Sequence, residues 1–175
     1  AAEPRDHRVG DLAGRDRGQA GEPLGPAGVV GDGGDGTGEL IIQHNRGIVM
    51  PVEVSDPLGR RIMSSFGLID DGKTAVIEMA NASGLRLLKA SEYDPLHTSS
   101  QGTGELLKHA LNKNVNKIIL CIGGSATVDG GTGIAQAIGI RFLDKDGNEL
   151  KNLPEQLTGL NSIDLSMLDK RLLNC

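Results

Sequence analysis

The strongest constraint on this chain is a continuous apolar run, Lys117-Ile118-Ile119-Leu120-Cys121-Ile122, that ends on a long glycine loop. The loop reads Gly123-Gly124-Ser125-Ala126-Thr127-Val128-Asp129-Gly130-Gly131-Thr132-Gly133. An apolar run without alternation is the pattern of a strand covered on both faces. A helix is expected next, over 133–138. Strand, loop, helix is the repeating unit of an open α/β sheet, where ligands lie at the carboxyl ends of the strands. Five glycines in the loop let backbone approach a ligand closely. Ser125, Thr127 and Thr132 add hydroxyls, and Asp129 adds a carboxylate. The loop is not a Walker A loop, because no Gly-Lys-Ser/Thr follows it.

The chain before this unit divides near residue 29. Residues 1–28 hold only Val9, Leu12 and Leu24 as apolar residues besides alanine, and show no period of a helix or a strand. Such a segment cannot offset its ordering entropy, so an irregular or disordered tail is expected. From residue 29 to 175 the pattern is that of a folded region. Strands are expected over 48–54, 61–69 and 74–79, with turns at Asp56-Pro57-Leu58-Gly59 and Asp70-Asp71-Gly72. Leu85, Leu87 and Leu88 predict a short helix. Thr103 is placed to cap a helix reaching Asn114, with Leu106, Leu107, Ala110 and Leu111 on its apolar face. A last strand is expected over 140–143, before an Asp146-Gly147 turn, and the stretch from Leu150 is weakly patterned. Strands alternating with helices predict an α/β fold with a parallel or mixed sheet.

Two further glycine loops stand out. Gly31-Asp32-Gly33-Gly34-Asp35-Gly36-Thr37 contains the spacing G-x-G-x-x-G, but only Val29-Val30 precedes it, too little for a dinucleotide-binding strand. Asp32 and Asp35 would repel a bare pyrophosphate; they suit a divalent cation bridging carboxylate and phosphate. A flexible turn is the competing account. Thr98-Ser99-Ser100-Gln101-Gly102-Thr103-Gly104 runs into a predicted helix, and hydroxyls with free N–H groups at a helix start can hold an anion. An ordinary N-cap explains the same residues.

Composition removes several alternatives. Aromatic residues are 2% of the chain and tryptophan is absent, so the stacking platforms of a single-stranded nucleic-acid binder are missing. A net charge of -5 argues against binding a phosphate backbone. Cys121 and Cys175 make no disulfide framework or metal-cluster spacing, and His7, His44, His97 and His109 share no ligand spacing. No apolar run is long enough for a secretory signal or a membrane span, so a cytoplasmic protein without nucleic-acid or membrane partners is expected.

Several of these runs together resemble the bacterial-type glycerate kinase family. They are Asp56-Pro57-Leu58-Gly59-Arg60, the stretch from Thr74 to Leu85 (TAVIEMANASGL), Ser100-Gln101-Gly102-Thr103-Gly104-Glu105-Leu106, and the glycine loop over 123–133. Gly33-Gly34-Asp35-Gly36-Thr37 looks like that family's Asp-Gly-Gly-Glu-Gly-Thr motif with Asp35 in place of Glu. Val128 stands where many members have Asn, and residues 1–28 hold no counterpart of the family's opening Asp-Ser-Phe-Lys loop.

The resemblance implies a partial two-domain glycerate kinase-like α/β fold, with 29–175 contributing to both domains and the C-terminal half absent. It implies ATP-dependent phosphorylation of D-glycerate, usually to 2-phosphoglycerate, with Mg2+. An inactive truncated remnant that keeps part of the ligand cleft is the alternative. Asp129 and Glu78 are the candidates for the acid beside the glycerate hydroxyl, with Asp32 and Asp35 as second choices and as the metal candidates. Glu78 could instead be a structural acid bonded to the backbone of residues 81–84. Substrate or nucleotide contacts are expected from Gly33, Gly34, Asp35, Gly36 and Thr37. Ser100, Gly102, Thr103 and Gly104 are expected to join them, as are Gly123, Gly124, Ser125, Thr127, Gly130 and Gly131. The three loops are expected along one cleft, and the partner beyond substrate to be a second copy or a polypeptide supplying the missing half.

Overall fold

The computed structural model describes residues 35–175, so the expected tail over 1–28 and the candidates Asp32, Gly33 and Gly34 lie outside the described residues. Helix α1 (Thr37–His44) comes first. Strands β1 (Ile48–Ser55), β2 (Arg61–Ile69) and β3 (Thr74–Glu78) follow. The short α2 (Ala80–Ser83) leads through two 3-10 turns to α3 (Gln101–Leu111) and β4 (Lys117–Cys121). After the glycine loop come α4 (Thr132–Ala137), β5 (Arg141–Leu143) and β6 (Ser162–Asp164).

The main sheet has the order β1-β2-β3-β4. The first two pairings are antiparallel and β3 with β4 is parallel, so the expected mixed sheet is observed. A parallel pair needs a crossover, and α3 lies within it. Gly59 and Gly72 take positive φ in the two hairpin turns, at 80° and 81°, as do Asp70 and Asp71 beside Gly72. In β1, Met50, Val52 and Val54 point toward the core, while Val49, Pro51 and Glu53 stand exposed on the other face. Pro51 is tolerated because β1 is an edge strand.

The principal core joins Val54, Phe66, Ala75 and Ile77 of the sheet to Leu106, Leu107 and Ala110 of α3. Ile134 and Ile138 pack against it from α4 and its end. On the opposite face α1 lies close over β2, because a Cβ on Gly67 would collide with Ile42. Strand β3, covered from both sides, is buried along its whole length.

Four expectations need correction. Thr103 does not cap α3; Ser100 is the N-cap, so Gln101 to Gly104 form the helix's first turn rather than a loop. That helix stops at Leu111, and Asn114 takes a φ of 56° beyond it. Strand β4 is not covered on both faces: only Cys121 is buried, and among the described residues β4 pairs on one edge alone. Helix α1 and strand β6 were not foreseen.

Candidate active site

Parallel strands β3 and β4 end side by side, with Glu78 opposite Cys121. The glycine loops gather beyond these ends. The Gly124 carbonyl accepts from Leu85 N–H at 2.9 Å, and Ala126 N–H donates to the Ser83 carbonyl at 2.9 Å. These two bonds fasten the loop after β4 to the segment after β3. The loop at the start of α1 meets the same place, since a side chain on Gly124 would run into the Asp35 carboxylate.

The segment before α3 joins from the other side. Thr98 donates its hydroxyl to the Ala126 carbonyl at 3.0 Å, and Thr127 donates its own to the Thr98 carbonyl at 2.7 Å. The Asp129 carboxylate gathers the rest. Its Oδ2 accepts from Ser100 N–H and Ser100 Oγ–H at 2.7 Å each and from Gly133 N–H at 3.2 Å. Its Oδ1 accepts from Gly131 N–H at 3.0 Å. Asp129 is 2% exposed. A buried carboxylate surrounded by donors meets the demand for partners that burial imposes. It therefore ties the starts of α3 and α4 together.

Glu78 finds its hydrogen-bond partners at the start of α1. It does not bond the backbone of residues 81–84. Its Oε1 accepts from Gly36 N–H at 2.6 Å and its Oε2 from Gly38 N–H at 2.9 Å.

Other expected contacts divide into two groups. Ser100, Gly102, Thr103 and Gly104 are buried. Thr103 gives its hydroxyl to Ser83 Oγ at 2.8 Å. Gly102 lets the helix start press on the Ser55 backbone, and Gly104 lets α3 press on α4. Each of these four is engaged within the chain, by packing or by hydrogen bonds. Asp35, Gly124, Ser125 and Gly130 are exposed, and Gly36, Thr37, Gly123, Thr127 and Gly131 are partly so.

A cleft of about 890 Å³ opens beside this junction, between α1, the outer face of β1 and β2, and the segment after α2. Asp35, Gly36, Glu78, Asn81 and Arg86 line one end, and Val49, Pro51 and Met63 form an apolar floor. Among the described residues, only the first of the three loops lines this cleft, and the other two are bonded to each other. Arg86 was missed by the sequence reasoning, as no motif marks it. Its guanidinium bonds Asn81 Oδ1 and lies 3.9 Å from the Asp35 carboxylate. It is the cation among the residues that line the cleft, where Asp35, Glu39 and Glu78 are acidic.

A family model described as the glycerate kinase family matches residues 27–175. The chain belongs to that family. Its match begins where the composition changes, near residue 29. The glycerate 2-kinase of Escherichia coli is 49% identical over 146 residues, covering 83% of this chain and 38% of that protein. The glycerate kinase of Bacillus subtilis is 46% identical over 145 residues, with the same coverage of 83% and 38%. A crystal structure provisionally named glycerate kinase 2, from Salmonella typhimurium, superposes with a TM-score of 0.79 at 49% identity. It covers 83% of this chain and 40% of that one. The chain thus spans about two fifths of the length of the relatives it matches.

Proposed function

We propose that this chain forms part of the ligand cleft of an ATP-dependent glycerate kinase, which moves the γ-phosphoryl group of ATP to D-glycerate and yields 2-phosphoglycerate. The observation that carries this is the meeting of the glycine loops at the carboxyl ends of β3 and β4, in a chain 49% identical to a protein named glycerate 2-kinase. Phosphoryl transfer asks little covalent chemistry of the protein and much positioning of charge. Exposed backbone at Gly124 and Gly130, with the Ser125 hydroxyl, suits phosphate oxygens that need close-lying donors.

Mg2+ fits this donor set in one way only. Among the described residues no three acidic, His or Cys side chains gather to hold a metal. Asp35 is an exposed carboxylate at the cleft, and one carboxylate together with phosphate oxygens is a usual arrangement for this ion. Asp35 would hold the ion with the nucleotide, and the ion would neutralise phosphate charge. A cytoplasmic setting accompanies this reading. Among the described residues no helix is long and apolar enough to cross a membrane.

A second reading, a cleft that binds ligand without turnover, is favoured by one observation. The outer face of β1 and β2 leaves Val49 and Met63 exposed at 56% and 69% on the cleft floor, with nothing among the described residues closing over them. Closure that excludes water is what completes such a site. The test is ADP release by purified 1–175 with D-glycerate, ATP and Mg2+. Binding of either ligand with little turnover is expected. Turnover within tenfold of roughly 10 s⁻¹, an ordinary enzyme's value, would show instead that this part of the family fold is sufficient.

A further inference from the structure

We propose that Glu78 is a positioning residue for the glycine loop that opens α1, acting through the backbone of Gly36 and Gly38 rather than on a reacting atom. The N-terminus of a helix leaves its first N–H groups without intrahelical partners. An ordinary N-cap side chain accepts one of them. Here the N-cap is Gly36, with φ of 88°, a conformation that favours glycine and therefore leaves no side chain to do so. Glu78 supplies the acceptors from the end of β3, at 2.6 Å to Gly36 N–H and 2.9 Å to Gly38 N–H. Carboxylate-to-amide bonds are the stronger kind, and a negative charge at a helix start is favourable.

The acid is 5% exposed and both of its oxygens are engaged. What it fixes is the distance between the loop and the ends of β3 and β4. That distance brings Asp35 against Gly124 and within 3.9 Å of Arg86. Gly38 belongs to the same device: a Cβ there would lie 2.9 Å from Glu78 Oε2 and 3.1 Å from Glu78 Cβ. Glu78 thus sets the site by holding backbone. Its ligand consequence rests on the glycerate kinase reading.

The experiment uses isotope-labelled 1–175 as wild type, Glu78→Gln and Gly38→Ala. Gln keeps the shape but replaces one acceptor by a donor; Ala displaces the carboxylate and leaves its charge. Amide exchange at Gly36 and Gly38 should quicken about tenfold or more, the loss of a hydrogen bond worth roughly 1.4 kcal/mol. Exchange at Val76 and Ile119 should hold, showing that the sheet is intact. MgATP and D-glycerate are then titrated separately. Whichever ligand moves wild-type signals should bind the variants about tenfold or more weakly, since small misplacements cost this much. Unchanged Gly36 and Gly38 exchange overturns the proposal, as does a loosened loop with undiminished affinity. If Glu78→Gln does not fold, Gly38→Ala decides alone. If wild type binds neither ligand, the kinase reading of this chain fails, and the exchange data still decide whether Glu78 holds the loop.

Discussion

Asp129 and Ser100 are bonded twice over, because one carboxylate oxygen accepts both the backbone N–H and the hydroxyl of Ser100 at 2.7 Å. The serine oxygen in turn accepts from Ile134 N–H at 3.1 Å. Two helix starts and a glycine loop therefore share a single buried pair of side chains.

Asp129→Ala should be costly for this reason. It leaves the N–H groups of Ser100, Gly131 and Gly133 and the Ser100 hydroxyl without their acceptor. Each buried donor left unmade costs about 1–3 kcal/mol, so a loss of at least about 3 kcal/mol is expected. Asp129→Asn keeps one acceptor oxygen and should lose less. Urea denaturation checks both. An Ala variant with the wild-type midpoint would mean that water replaces the carboxylate without penalty.

Two glycine substitutions should fail by different routes. In Gly104→Ala the new Cβ would stand 2.5 Å from Ala137 Cβ and 2.8 Å from Ile134 Cα and O, so backbone must move and α3 must part from α4. A loss of about 1–3 kcal/mol is expected, with shifted Ile134 methyl signals. Gly72 has open space around it but a φ of 81°. Gly72→Ala should cost about 1–2 kcal/mol through conformation alone and leave the core signals in place. Thermal melts with methyl spectra separate the two.

Local pattern made the sheet legible and left the site half legible. The strand over 61–69 and the turn Asp70-Asp71-Gly72 follow from alternation and turn chemistry, and both stand where expected. The apolar face of α3, with Leu106, Leu107, Ala110 and Leu111, was equally plain. Helix α1 was hidden because its cap comes from Glu78, about forty residues away in sequence. Strand β6 was hidden because it is exposed and formed by pairing with β5, aided by Arg141 and Asp164. Ser100 and Thr103 mark the limit of such reasoning. A hydroxyl at a helix start looks the same whether it awaits a ligand or another loop, and only tertiary packing gave these two to Asp129 and Ser83.

His97 should titrate above its ordinary value of 6.5. Its Nδ1 lies 2.8 Å from Asp94 Oδ2, and Glu155 adds negative charge 3.8 Å from Nε2. The hydrogen bond to Asp94 is the main cause, followed by the charges of Asp94 and Glu155. A raised imidazole stabilises below its unfolded pKa, and the contribution disappears as pH rises through the folded value. The His97 ring-proton titration should therefore have its midpoint above 6.5, and Asp94→Asn should bring it down. A midpoint unmoved by Asp94→Asn would show the pair to be unimportant.

Asp169 should behave in the opposite sense. Its carboxylate accepts from Arg171 Nε at 2.9 Å, from Arg171 Nη2 at 2.6 Å and from Arg171 N–H at 3.1 Å. The arginine bonds hold its pKa at about 2, below the ordinary 3.8. The same arginine reaches Asn112 Oδ1 at 2.8 Å, and the Asp169 N–H donates to the Ile138 carbonyl at 2.9 Å, so this pair fastens the C-terminal 3-10 turn to the ends of α3 and α4. A depressed carboxylate stabilises above its unfolded pKa and loses that contribution as pH falls through the folded one. The docking should hold at pH 5 and weaken progressively between 3.8 and about 2. Arg171 is about half exposed and water screens the charge, so the effect on global stability should be small and local opening should be the clearer signal. The carboxyl carbon shift of Asp169, followed with pH in wild type and Arg171→Ala, reads it directly. The midpoint should rise toward 3.8 in the variant, and the Asp169 amide should exchange faster there at neutral pH. A wild-type midpoint already at 3.8 would show that Arg171 does not hold this carboxylate in solution.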